Sequence, residues 1–193
     1  MSTSSIAKKI PLDEPVLQGD VFSNVRYNYI DSEDNDYVRV IEYEFPMAII
    51  ISQACDIVAM DSLATDKTGK STKFMPSVLL CPIYDKEIAK SGKHIEDVIR
   101  YLGINAQTEP LFNSHEFGLV KNDWHYRFHA LTVVAEDKTL LENALIDFKH
   151  YFCVPLSYLI ANKANRLFHI DSLFAEQITL KFATFLSRVA IPS

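Results

Sequence analysis

Between residues 18 and 154 the apolar positions recur mainly at intervals of two, the period of a strand with one buried face. Val21 to about Tyr29 predicts a first strand, entered through the turn signal Gln18-Gly19-Asp20. Tyr37–Tyr43 alternates as Tyr-Val-Arg-Val-Ile-Glu-Tyr, and the acidic run Asp31–Asp36 before it reads as a solvated loop. Pro46 opens a new element, in which Ala48–Ser52 is a continuous β-branched run of the kind buried on both faces. Phe74–Cys81 predicts a further strand, stopped by Pro82. Trp124–Val134 sets Trp124, Tyr126, Phe128 and Ala130 against His125, Arg127 and His129. Ala144–Val154 sets Ala144, Ile146, Phe148, His150 and Phe152 on one face, with Asp147 and Lys149 opposite, and Asn165–Ile170 is a last short strand.

Helical spacing is confined to a few places. In Asp85–Leu102, Ile88, Ile95, Val98, Ile99 and Leu102 fall near one face, Ser91-Gly92 divides the segment, and Gly103 stands where a C′ glycine belongs. Residues 104–122 show no clear period. Pro155 can open one helical turn through Ile160. Ser172–Val189 carries Phe174, Ile178, Phe182, Phe185 and Val189 as one stripe, with Pro192 beyond it. Strands followed by few helices predict an α+β fold: one domain over residues 1–193, built on a mainly antiparallel, curled sheet or small barrel. Its parts are an extended lead-in over 1–17, interrupted by Pro11 and Pro15, a β-rich barrel over 18–170 with a helical insertion near 85–102, and a C-terminal helix over 171–193.

Composition adds exclusions. With 48% hydrophobic residues, 12 Phe and 9 Tyr, the chain carries far more apolar area than a disordered one. The net charge of −6 lacks the basic footprint that nucleic-acid partners require, so a nucleic-acid ligand is disfavoured. Cys55, Cys81 and Cys153 form no C-x-x-C pair, which points to reduced thiols. The densest apolar stretch, Met47–Ile51, is far shorter than the ~18 residues a membrane helix needs, and the polar start has no apolar region behind it. A cytoplasmic protein without membrane contact is expected, and no spacing implies a metal or a cofactor.

Two clusters could carry chemistry. Ser52, Gln53, Cys55 and Asp56 end the buried run, where a rigid strand holds polar groups against a loop. Asp56 beside Cys55 disfavours a thiolate, since an adjacent carboxylate raises a thiol pKa. Turn-tying through backbone hydrogen bonds, a ligand or partner site, and catalysis are the three roles open to this cluster. On the second, His125, Arg127 and His129 share one strand face, and an arginine between histidines suits a phosphate or carboxylate better than a cation. The same face could equally be solvated surface. His150, on the apolar face, reads as a core histidine hydrogen-bonded to backbone.

The order Gly19-Asp20-Val21, Phe45-Pro46 through Ser52, and Val78 through Cys81-Pro82-Ile83 resembles the MazF/PemK family of ribonuclease toxins over about the first 85 residues. The resemblance implies an SH3-like barrel. It does not carry over the activity, because Phe45 stands where the family has its catalytic arginine and Tyr84 where it has its catalytic Thr or Ser. Over more of its length the chain looks like a group of bacterial proteins, some carried on mobile elements. The shared pattern is Gln18-Gly-Asp-Val-Phe22, Ser52-Gln-Ala-Cys-Asp-Ile57, Tyr126-Arg-Phe-His129, Asp147-Phe-Lys-His-Tyr-Phe152 and Ser187 through Pro192. The function expected is a non-catalytic binding module for a protein or a small anionic ligand, able to dimerise through the C-terminal helix. The alternative is a ribonuclease-like enzyme derived from the toxin barrel, using Arg127, His129 and the Lys67–Lys73 loop.

Overall fold

Among the described residues eight strands form one curled, barrel-like sheet. The computed structural model describes residues 4–34, 37–58, 75–95, 112–122, 124–135 and 138–188. The strands are β1 (Ser4–Lys8), β2 (Asp20–Asp34), β3 (Tyr37–Ile50), β4 (Val78–Asp85), β5 (Phe128–Ala135), β6 (Lys138–Asp147), β7 (Phe152–Val154) and β8 (Arg166–Ile170). The order across the sheet is β3-β2-β8-β1-β5-β6-β4-β7, and β3 also pairs with β4. Among the described residues all pairings are antiparallel except β1 with β5. The expected α+β, mainly antiparallel, barrel-like architecture is therefore present.

The helices are α1 (Lys86–Ser91), α2 (Ser114–Lys121), α3 (Leu156–Ala161) and α4 (Ser172–Leu186). Asp85 ends β4 and caps α1, its Oδ1 accepting from the amides of Glu87 at 2.8 Å and Ile88 at 3.2 Å. Gly92 ends α1 in the left-handed region at φ 78°, as Ser91-Gly92 predicted, and a 3-10 turn Lys93–Ile95 follows. The rest of the expected insertion, through Leu102 and Gly103, lies outside the described residues, as does the Lys67–Lys73 loop.

Several expected boundaries move. Strand β3 runs through Pro46, and the β2–β3 ladder pairs Ser23 with Met47 and Val25 with Phe45, skipping the proline, which has no N–H to give. Pro82 likewise sits inside β4, opposite Ala48. The lead-in holds a strand, β1, which pairs with β5 on one side and β8 on the other. Residues 114–121, expected without period, are helical, started by a capping box in which Asn113 and Glu116 each accept from the other's amide. Trp124–Arg127 precede β5, and Trp124 is 76% exposed. The expected Ala144–Val154 strand breaks after Asp147, where a 3-10 turn over Phe148–His150 intervenes. That turn shifts the side-chain parity: Phe148 belongs to one core and Phe152 to the other.

Both faces of the sheet are covered. Along β4, Val78, Leu80 and Tyr84 enter one core while Cys81 and Ile83 enter the second. Helix α4 closes the second core with Ile178 and Phe182, flanked by Phe174 and Phe185, so the aromatic stripe read from the sequence packs on the sheet. Among the described residues no helix is long and apolar enough to cross a membrane.

The lead-in is fastened by a buried acid. Asp20 accepts from the Leu17 amide at 3.0 Å, pairs with Arg166 at 3.1 Å and meets His169 Nδ1 at 2.9 Å. Arg166 donates onward to the carbonyls of Pro11, Glu14 and Pro15.

Candidate functional site

Strands β6 and β7 pair with the same edge of β4, and the 3-10 turn between them borders a polar cluster inside an otherwise apolar core. Asp147, the last residue of β6, is fully buried. Its Oδ1 accepts from Arg127 Nε at 2.9 Å and from the Lys149 amide at 3.0 Å. Its Oδ2 accepts from Arg127 Nη2 at 2.7 Å, completing a bidentate pair, and lies 3.1 Å from His150 Nδ1. His94, carried in by the turn after α1, places Nε2 3.5 Å from the same oxygen. His94 is buried, and among the described residues neither its ring nitrogens nor the buried Tyr84 hydroxyl has a hydrogen-bond partner; the two rings lie 4.6 Å apart.

The charges of this cluster follow from its surroundings. Burial works to raise the Asp147 pKa, but the Arg127 hydrogen bonds, then His94, His150 and the Arg127 charge, outweigh it and hold the carboxyl well below the usual carboxylate range. Burial lowers the His150 pKa to about 4 against the attraction of Asp147, so the ring is neutral at pH 7. Burial, with Tyr43 and Asp147 nearby, pushes the Tyr84 phenol well above its ordinary value. The site thus holds a buried ion pair, a neutral imidazole and a protonated phenol.

The residues singled out from sequence divide among different roles. Ser52 Oγ accepts from the Leu79 amide at 2.9 Å, joining the end of β3 to β4. Gln53 and Asp56 are the polar groups near the exposed Cys55 thiol, at 3.7 and 3.8 Å; no histidine among the described residues has a recorded contact with it. His125 Nδ1 accepts from the amides of Arg127 at 3.1 Å and Phe128 at 3.2 Å, shaping the entry to β5. Burial, then the Arg127 charge, lowers its pKa. The Arg127 fork, read as an anion clamp, is filled by Asp147. His129 turns to α4, with Lys181 Nζ 3.3 Å from its Nδ1. His150 contacts a carboxylate rather than backbone, and Asp147 points inward rather than sharing a surface with Lys149. Sequence reasoning missed His94 and Tyr84 as members of the site: His94 lies in no motif, and Tyr84 was noted only as standing where the toxin family has its catalytic Thr or Ser.

A second feature lies where α2 meets the β5–β6 hairpin. The strands bulge at Leu131–Val133, with Asn143 at φ 54°, and a groove of about 400 Å³ opens there. Lys86, Phe117, Lys121, Asn122, Glu142 and Asn143 are among its walls. The ammonium groups of Lys86, Lys121 and Lys90 stand 4.6, 5.4 and 6.0 Å from the centre of the Phe117 ring. Lys86 also meets Glu87 at 3.5 Å on the exposed surface.

Compared with protein-family models, curated proteins and solved structures, the chain matches none.

Proposed function

We propose that this protein is a cytoplasmic, non-catalytic binding module on an SH3-like barrel, recognising a small phosphate-bearing anion in the groove beside Phe117. The observation that supports the reading is the convergence of three lysines on one aromatic ring in a chain of net charge −6. Lys86 and Lys121, two of the three, line the concave wall; like charges there repel one another, and an anion seated between them relieves that repulsion. Asn122 and Asn143 offer amide donors beside the lysines, and Phe117 offers a face for a flat group. Glu142 in the same wall limits how much negative charge the groove accepts. Two of the candidate residues support the non-catalytic reading: Arg127 is held by Asp147, and Cys55 has a carboxylate beside it instead of an activating base.

Calorimetric titration with pyrophosphate, at low and at physiological ionic strength, tests this. Salt-sensitive binding that is weakened in the Lys86→Ala/Lys121→Ala double variant is expected. Binding equal in wild type and double variant, or no binding at low salt, removes the groove as the site. Cleavage of added single-stranded RNA by the purified protein would move the reading to the toxin-derived enzyme instead.

A further inference from the structure

We propose that His94 Nε2, His150 Nδ1 and Asp147 Oδ2 form a binding site for one divalent transition-metal ion of the zinc class. This goes beyond the anion groove and does not depend on it.

The three donor atoms lie within 4.8 Å of one another. A zinc ion bound tetrahedrally at about 2.0–2.1 Å separates its ligand atoms by roughly 3.3 Å. The two legs that meet at Asp147 measure 3.1 and 3.5 Å and bracket that value. The remaining leg, between the histidines, lies within 4.8 Å, and the side chain able to adjust it is His150, a quarter exposed where His94 is fully buried. Two imidazoles and a carboxylate suit zinc, cobalt or nickel rather than the oxygen-seeking magnesium or calcium.

Hydrogen bonding alone leaves this arrangement unsatisfied. Arg127 Nη2 takes one lone-pair direction of Oδ2 at 2.7 Å, and two imidazoles face what is left of that oxygen. His94 loses the contest: its Nε2 stands off at 3.5 Å, and its buried Nδ1 has no hydrogen-bond partner among the described residues, a cost of about 1–3 kcal/mol for such a group. A cation between the rings converts the competition into shared coordination. The carboxylate is already oriented for it, since Arg127 Nε and the Lys149 amide hold Oδ1 and leave Oδ2 toward the histidines. Arg127 offsets the carboxylate charge, so with two neutral imidazoles the site would keep two positive charges, and a fourth ligand such as water, able to give up a proton, would reduce them. The Tyr84 hydroxyl, buried without a partner beside His94, is the group in place to hydrogen-bond that ligand.

The test uses the full chain, stripped with chelator and dialysed, then titrated with cobalt(II) and followed by its visible absorption, with zinc as competitor. One equivalent per chain with the intense bands of a four-coordinate centre is expected, bleached by zinc. His150→Gln and His94→Gln should each weaken binding by more than the roughly 10–100-fold that outer-shell changes give. His115→Gln, on the exposed face of α2, should bind as wild type does. Circular dichroism establishes that each variant is folded, and the wild-type titration stands even where a variant is not. Absence of stoichiometric cobalt binding by wild type overturns the proposal. So does unchanged binding in a folded His94→Gln/His150→Gln double variant.

Discussion

Arg127 and Asp147, twenty residues apart in sequence, meet through two parallel hydrogen bonds of 2.9 and 2.7 Å where β5 pairs with the end of β6. The carboxylate is wholly buried and the guanidinium nearly so. Removing one member strands the other charge away from water. Arg127→Ala or Asp147→Asn should therefore cost about 3–5 kcal/mol in urea denaturation. A loss below about 1 kcal/mol, the range of exposed pairs, would show the pair to be solvated in solution.

His150 gives the fold a pH dependence of defined sign. Its pKa in the fold is about 4, against 6.5 for the free side chain. Below pH 6.5 the unfolded chain binds a proton that the folded chain refuses, so stability falls as pH drops from about 6.5 to about 4. Arg127, His94 and Lys149 oppose the proton, while Asp147 favours it. The urea midpoint of metal-free protein should decline across this window, with about 1–3 kcal/mol lost. His150→Gln should show a flatter profile; an equal slope would assign the effect to other groups.

Gly19 admits no side chain. Its φ is +85°, and an added Cβ would lie 2.8 Å from the Ala175 Cβ and 2.9 Å from the Ile170 carbonyl oxygen. Gly19→Ala should cost about 2 kcal/mol or more, through backbone strain and displacement of α4 from β8. A thermal melt unchanged from wild type would contradict the close approach of the two elements.

On α4 the inward and outward faces should respond differently. Phe182 is 5% exposed and packs against Phe148 and Tyr151, whereas Leu180 is 70% exposed. Phe182→Ala should cost about 3–5 kcal/mol and Leu180→Ala less than about 0.5 kcal/mol. A large cost at Leu180 would instead indicate that this face is covered by a second copy, the dimer expected through the C-terminal helix. Light scattering on the same samples distinguishes the two.

Period-two alternation exposed the long strands, and the single stripe of α4 exposed its helix, because in each case one face meets a core. Strand β1 was hidden for the opposite reason: five residues ahead of Pro11 acquire their strand character from β5 and β8, partners more than a hundred residues away. Helix α2 did announce itself through Asn113 and Glu116, a signal obscured by Gly118 within it. Asp147 was set on the right face of β6, opposite Ala144 and Ile146, but that face, shared with Leu145, is covered by the other core instead of solvent. Arg127 could be seen as a cation on a strand, but its partner depends on the register of Phe128 against Asp147, which no local pattern encodes. His94 reaches the site only through the Gly92 turn, and nothing in its neighbours marks it.

The ring of strands closes late. Strand β2 needs β8, with Asp20 opposite His169, and β1 is inserted between β5 and β8. During synthesis the N-terminal strands therefore leave the ribosome long before their partners exist, and β2 can pair only with β3 while it waits. Its other edge stays open until the chain has been made past residue 170. Such non-local pairing slows folding and exposes an unpaired edge to neighbouring chains. The Asp20–Arg166 lock, which gathers the carbonyls of Pro11, Glu14 and Pro15, is accordingly a late event: it fastens the Pro11–Pro15 segment only once the chain has been made past Arg166.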